Sequence, residues 1–190
     1  MGEKGCKLLL PLAGTTIVES SARAPLEALC RLIVVVGCWA DEVAALFEAE
    51  AYRELRREGR LLFVENRLWE RGMVSSIQAA LASVLGDAFF VAQGDMPFAE
   101  AGSYRLLAAA REGDRRLAYA ASHGGRAGHP VLLPSAWIPG ILALEGGERL
   151  RPFVEARGLR QVEAGPAAVE DIDDPEDYEA AIAGPRQGML

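Results

Sequence analysis

Lysine is almost missing from this 190-residue sequence: of 20 basic residues only Lys4 and Lys7 are lysines, and the rest are arginines. Arginine does not replace a compact ammonium where a phosphate oxygen must be met. A lysine kept for phosphate chemistry and a lysine left by chance at a solvated terminus are both open readings of that pattern. Histidine occurs twice, and cysteine three times, as Cys6, Cys30 and Cys38, with no Cys-x-x-Cys pair. That scarcity excludes a zinc site of cysteine and histidine and a disulfide framework, and makes the reducing cytoplasm the expected compartment. No apolar run approaches the roughly 20 residues of a membrane-spanning helix. The stretch Leu8-Leu9-Leu10-Pro11-Leu12 imitates a secretory signal, but it is short, contains proline and has no convincing cleavage site. Positive charge is in deficit, the formal net charge being -7. No general attraction to nucleic acid or to an anionic membrane is therefore expected, and an anionic ligand needs a local positive site.

What is present, 51% hydrophobic and 25% charged residues without internal repeats or low-complexity linkers, fits one globular domain over residues 1–190. Leu32-Ile33-Val34-Val35-Val36 reads as a buried strand closed by Gly37, and 41–57 as one helix. A strand over 61–64, a helix over 75–86, a buried strand over 88–92 and a helix over 103–111 follow. Next come a strand over 117–121, a glycine-rich loop over 124–128, a short strand over 131–133 and two weaker helices over 134–144 and 150–157. Residue 162 or residues 167–169 supply a last strand before a terminal helix. This alternation is that of an α/β domain with a mostly parallel sheet.

In such sheets ligands collect beyond the carboxyl ends of the strands. Asp95 sits there, in Gly94-Asp95-Met96-Pro97 after an apolar run, and reads either as an ordinary turn residue or as a carboxylate for a hard divalent cation such as Mg2+. The acidic cluster 171–177 holds a second carboxylate. Asp174 before Pro175, with Asp177 three residues on, fits a helix cap, leaving Asp171 and Asp173 on one side of an extended segment. Gly72-Met73-Val74-Ser75-Ser76 enters a helix whose free N–H groups suit an anionic or carbonyl oxygen, with capping by Ser75 or Ser76 as the plainer alternative. Gly124 to Pro130 reads as a flexible basic loop able to close on substrate, or as a surface turn.

Taken in order, several segments resemble the MobA-like nucleotidyltransferases, especially the molybdenum cofactor cytidylyltransferases. They are Met1-Gly2, Lys7-Leu8-Leu9-Leu10-Pro11-Leu12, Val34-Val35-Val36-Gly37, Asn66 with Gly72-Met73-Val74-Ser75-Ser76, Gly94-Asp95-Met96-Pro97, Gly128-His129-Pro130-Val131 and Asp171-Ile172-Asp173-Asp174-Pro175-Glu176-Asp177. The resemblance implies a Rossmann-like three-layer fold whose first central strand, with most of the nucleotide loop, is absent here. Met1-Gly2 matches only the end of that loop signature, so the expectation is a reading frame that starts further upstream. The arginine that the family places just before this methionine is absent, and Arg67 stands where a proline often follows Asn66.

The resemblance also implies roles. CMP passes from CTP to the phosphate of molybdenum cofactor, with pyrophosphate released. Mg2+ is held by Asp95 with Asp173 or Asp171, while Lys7 and Gly2 meet phosphates. Asn66, Gly72, Ser75 and Ser76 contact base and ribose, and Gly128, His129 and Pro130 line the acceptor side. A molybdenum hydroxylase apoenzyme is the implied protein partner, with neither nucleic acid nor membrane. The rivals are GTP-dependent guanylyl transfer, another sugar- or alcohol-phosphate cytidylyltransferase, and a non-catalytic, chaperone-like cofactor carrier.

Overall fold

The computed structural model describes residues 5–145 and 147–183. A 3-10 turn, Lys7–Leu9, leads into a minimal hairpin, β1 (Pro11–Leu12) and β2 (Thr15–Thr16), and then into α1 (Ile17–Ala28). The next elements are β3 (Leu32–Val36), α2 (Ala40–Leu46), α3 (Glu50–Arg57), β4 (Leu61–Glu65), α4 (Met73–Ala80), β5 (Ala88–Val91) and α5 (Ala101–Arg111). The chain closes with the hairpin β6 (Ala118–His123) and β7 (Arg126–Pro134), then α6 (Ile138–Leu142), α7 (Leu150–Arg157), β8 (Leu159–Glu163) and α8 (Pro175–Ile182). Among the described residues no helix is long and apolar enough to cross a membrane.

Side-chain alternation sorts the four-stranded part of the sheet into two buried faces. Ala118 and Leu133 pack with Ile77 of α4, Ile141 of α6 and Phe153 and Val154 of α7, whereas Tyr119, Ala121 and Leu132 pack with Leu107 of α5 and with Ala168. Helices thus cover both faces, as the α/β expectation requires. The strand order of this part is β5-β7-β6-β8, with β7 antiparallel to both neighbours and β8 parallel to β6. The sheet is therefore mixed. β3 and β4 form a separate parallel pair, and among the described residues β3 and β5 are not bonded to each other. That gap lies where the resemblance omits a central strand.

Several local expectations are corrected. The helix α1 has no counterpart in the sequence reading, although it starts with a capping box: Thr16 Oγ1 accepts from the Glu19 N–H, and the Glu19 carboxylate accepts from the Thr16 N–H. The single helix over 41–57 is two, because the turn between α2 and α3 swings Phe47 inward against Tyr52 and Phe63. The loop over 124–128 is only a two-residue turn: Gly124 and Gly125 take φ of 57° and 81°, which fits a tight hairpin, and β7 begins at Arg126. The last strand is β8, not 167–169, which lie in and beside a 3-10 turn. Finally, β3 and β5 read as buried strands, yet of their residues only Val36 is buried, since among the described residues each strand is bonded on one edge only.

Candidate active site

Lys7 owes its place to apolar packing behind it. Leu8 packs against Leu12, Ile17 and Ile172, a cluster that also takes Tyr178 of α8, whose hydroxyl donates to the Pro11 carbonyl at 2.8 Å. The same cluster delivers the acids. Ile172 is 1% exposed, and its N–H donates to the Asp95 carbonyl at 2.9 Å. Burying Ile172 turns its two neighbours the other way in this extended segment, so Asp171 and Asp173 face the end of β5. Asp174 and Asp177 form a reciprocal cap on α8, the structural part expected of them.

The Lys7 Nζ lies 2.7 Å from Asp95 Oδ2 and 2.8 Å from Asp173 Oδ1. Partial burial pulls the ammonium pKa down, but the hydrogen bonds to Asp173 and Asp95 and their charges outweigh it, so the net direction is up. The Lys7 hydrogen bond and charge push the Asp173 carboxyl below its ordinary value. Asp95 Oδ1 is buried and, among the described residues, has no hydrogen-bond partner, and a buried lone pair of that kind suits a hydrogen-bond donor or a cation. Between Asp171 and Asp173, the second carboxylate on Lys7 is Asp173. His129, on β7, is half-buried behind the cluster and its Nδ1 lies 3.2 Å from the Val91 carbonyl. Burial lowers its pKa, against the opposing hydrogen bond and the charges of Asp95 and Asp171.

A second polar knot joins β4 to α4. The buried Asn66 amide donates to Ser75 Oγ at 2.9 Å and to Ser76 Oγ at 3.0 Å, while its Oδ1 accepts from the Leu68 N–H. Ser75 Oγ in turn donates toward the Gly72 and Leu68 carbonyls. The N-cap of α4 is Gly72, at φ 92°, so neither serine is the cap; both belong to the first turn. Asn66 thereby fixes the rotamer of Ser76.

An 870 Å³ cavity unites Lys7, Asp95 and Ser76, which line it together with Gly37 and Gly94 just past β3 and β5. Asn66 and Ser75 stand behind Ser76, off this lining. Gly128 and Pro130 are not on it either. Pro130 is fully buried, and a Cβ at Gly128 would overlap the Ala168 carbonyl, so this stretch is a packed strand and not a closing loop. Gly2 lies outside the described residues. The sequence reading missed an exposed apolar group, Trp39, Leu68, Trp69 and Met73, whose signal was aromatic residues inside otherwise polar connections. Gly37 allows Trp69 its place, since a Cβ there would fall 2.5 Å from the Trp69 Cβ.

Among the described residues no group of three or more metal-binding side chains gathers. Two carboxylates with one orphaned oxygen nevertheless suit a hard divalent ion such as Mg2+, which takes one or two carboxylates and completes its shell with water and phosphate oxygens. The arrangement offers one fixed ammonium and up to two carboxylates at the mouth of a deep cavity, the inventory needed to hold a charged polyphosphate.

Comparison with known proteins points the same way. The family described as "MobA-like NTP transferase domain" matches residues 1–163. The chain is 24% identical over 173 residues to the molybdenum cofactor cytidylyltransferase of Escherichia coli, covering 90% of this chain and 84% of that protein. It is 30% identical over 152 residues to the nicotine blue oxidoreductase of Paenarthrobacter nicotinovorans, covering 76% and 70% respectively. Among solved structures, Rv0371c of Mycobacterium tuberculosis superposes with a TM-score of 0.78 at 21% identity, covering 95% of this chain and 90% of that one. A second structure of that protein is a complex with manganese.

Proposed function

Since the chain belongs to the MobA-like NTP transferase family and is a nucleotidyltransferase, we propose that it transfers CMP from CTP to the phosphate of molybdenum cofactor. The observation that carries this reading is the Lys7 ammonium held at 2.7 and 2.8 Å by Asp95 and Asp173 at the cavity mouth. The choice of CTP and acceptor is supported by the similarity to the E. coli cytidylyltransferase.

In the reaction an oxygen of the acceptor phosphate attacks the α-phosphorus of CTP. The new P–O bond forms as the bond to the bridging oxygen breaks, and that electron pair leaves with pyrophosphate. Little covalent work falls to the protein; positioning and charge compensation dominate. Lys7, with Gly2 five residues before it in sequence, takes the phosphate side, and its ammonium moves from the carboxylates to the phosphate oxygens. Asp95 with Asp173 would hold Mg2+, with Asp171 next to them, and when bound the ion supplies charge neutralisation on the phosphates. Ser76, set by Asn66 and backed by Ser75 and Gly72, takes the ribose and base side. Gly128, His129 and Pro130 form the wall behind the acceptor side. A molybdenum hydroxylase apoenzyme in the cytoplasm is the recipient this product suits.

Pyrophosphate release, measured with CTP, GTP and ATP and with Mg2+ or Mn2+ in the presence of molybdenum cofactor, tests the reading. CTP is expected to turn over fastest, with Asp95→Asn lowering kcat about 10²- to 10³-fold. Faster turnover with GTP replaces CMP by GMP. Release with methylerythritol phosphate alone reassigns the acceptor. Stabilisation by the cofactor without any release or Mg-CTP binding makes the chain a carrier.

A further inference from the structure

The outermost strands, β8 and β4, present edges of different kinds. β8 reads Leu159-Arg160-Gln161-Val162-Glu163 and exposes Arg160, Gln161 and Glu163, the charged type of edge that discourages further pairing. β4 lies outside β3 and reads Leu61-Leu62-Phe63-Val64-Glu65, with no charge, proline or glycine before Glu65 and no bulge in its register with β3. Leu62, Phe63 and Val64 are only half-buried. The Leu32 N–H donates to the Arg60 carbonyl and the Asn66 N–H to the Val36 carbonyl, so the even-numbered residues of β4 bond to β3 and the backbones of Leu61, Phe63 and Glu65 point outward. Among the described residues no main-chain partner serves these outward groups. Beside the carboxyl end of β4 lies a 630 Å³ groove, lined by Trp39 and Phe63 and by the acids Asp41, Glu42 and Glu65. At the amino end the charge reverses. The last turn of α3 carries Arg56 and Arg57, in solvent-exposed pairs with Glu48 and Glu54 of their own chain.

An apolar edge with unpaired main-chain groups is a template for another strand, and the pattern on this one is complementary to itself. We infer that β4 pairs antiparallel with β4 of a second copy of this chain, about a two-fold axis at Phe63. Phe63 then faces Phe63, and Leu61 of each copy faces Glu65 of the other. Every outward residue falls in a hydrogen-bonded pair, so all the outward N–H and C=O groups are satisfied together. A register shifted by one residue sets outward groups against inward ones and loses those bonds. The same axis brings the acidic groove of each copy to the arginine end of α3 in the other, with Asp41 and Glu42 opposite Arg56 and Arg57. Solvent-exposed pairs such as Arg56–Glu48 and Arg57–Glu54 contribute little, so exchanging them for contacts across the interface costs little. Trp39, 43% exposed, is covered in the process. Two-fold closure is the commonest assembly of identical chains, and it uses up the edge so that no third copy can add. This face lies on the far side of β3 from the cavity that holds Lys7 and Asp95, and the inference stands whether or not the chain transfers CMP.

Sedimentation equilibrium over a range of concentrations, with amide exchange read residue by residue, tests it without an activity assay. The expected result is a reversible dimer in which exchange at Leu61, Phe63 and Glu65 slows at least about tenfold as concentration rises, while Leu62 and Val64, already bonded to β3, do not change. Glu65→Pro removes an outward donor and no bond to β3, so a folded chain is expected whose association is at least about tenfold weaker. Charge reversal keeps the inference falsifiable should that variant fail to fold. Asp41→Arg with Glu42→Arg in one chain, and Arg56→Glu with Arg57→Glu in another, should each weaken self-association at least about tenfold, and mixing the two chains should restore dimers. A chain that stays monomeric up to about 1 mM overturns the inference. Dimers whose outward amides exchange as fast as the monomer's overturn it too, as do reversed chains that fail to recover on mixing.

Discussion

The two parts of the sheet differ in a direction opposite to their sequences. Leu32-Ile33-Val34-Val35-Val36 on β3 is wholly apolar, yet Val36 alone is buried; Ala118-Tyr119-Ala120-Ala121-Ser122 on β6 is far less hydrophobic, yet all five are buried. β6 has a bonded strand on each side, β7 and β8, and helices on both faces, whereas β3 has β4 on one edge and, among the described residues, no bonded strand on the other. Burial in this molecule follows completeness of neighbours, not the hydrophobicity of the strand itself.

That contrast can be broken or sharpened by substitution. Leu133, fully buried between β5 and β6, is expected to lose about 2–5 kcal/mol on Leu133→Ala, read by denaturant unfolding. If the same experiment on Val34→Ala costs as much, β3 is as fully packed as β6 and the comparison fails; the expected cost is under about 1 kcal/mol. Gly128→Ala comes between these two. Its added methyl would overlap the Ala168 carbonyl, so about 1–3 kcal/mol is expected to be lost. In the same variant a displaced Ala168 should disturb the acidic segment that follows it and weaken nucleotide binding, read by ligand titration.

His129 gives the smallest and most conditional effect. Burial keeps its folded-state pKa below the ordinary 6.5. As pH falls below 6.5 the unfolded chain takes up a proton that the folded chain refuses, so stability is full above 6.5 and declines below it. Unfolding midpoints of wild type and His129→Gln should run parallel above pH 6.5 and converge as the pH drops. Parallel curves throughout would show that β7 is not dry there.

The alternation of elements was legible because apolar runs and glycine stops are local signals. What the sequence hid was tertiary. Pro25, Ser20 and Ser21 disguised α1, although the Thr16-x-x-Glu19 box marks its start. Three glycines read as one loop because only Gly124 and Gly125 serve the turn, while Gly128 sits in the strand to let a carbonyl pass. Lys7, Asp95 and the acidic pair were visible as residue types at strand ends. Which acid meets Lys7 was not, since burial of Ile172 turns both Asp171 and Asp173 to the same side and only the three-dimensional approach of Lys7 selects Asp173. The serines of α4 were recognised as polar at a helix start, but their bond to Asn66 comes from a contact nine and ten residues away.

The bond from the Ile172 N–H to the Asp95 carbonyl carries one more consequence. It uses main-chain atoms only, so the frame that aligns the acids is indifferent to what side chains occupy 171 and 173. Those two positions can change without disturbing the scaffold, so a substitution at Asp173 would reset the charge facing Lys7 while leaving the backbone that carries it in place.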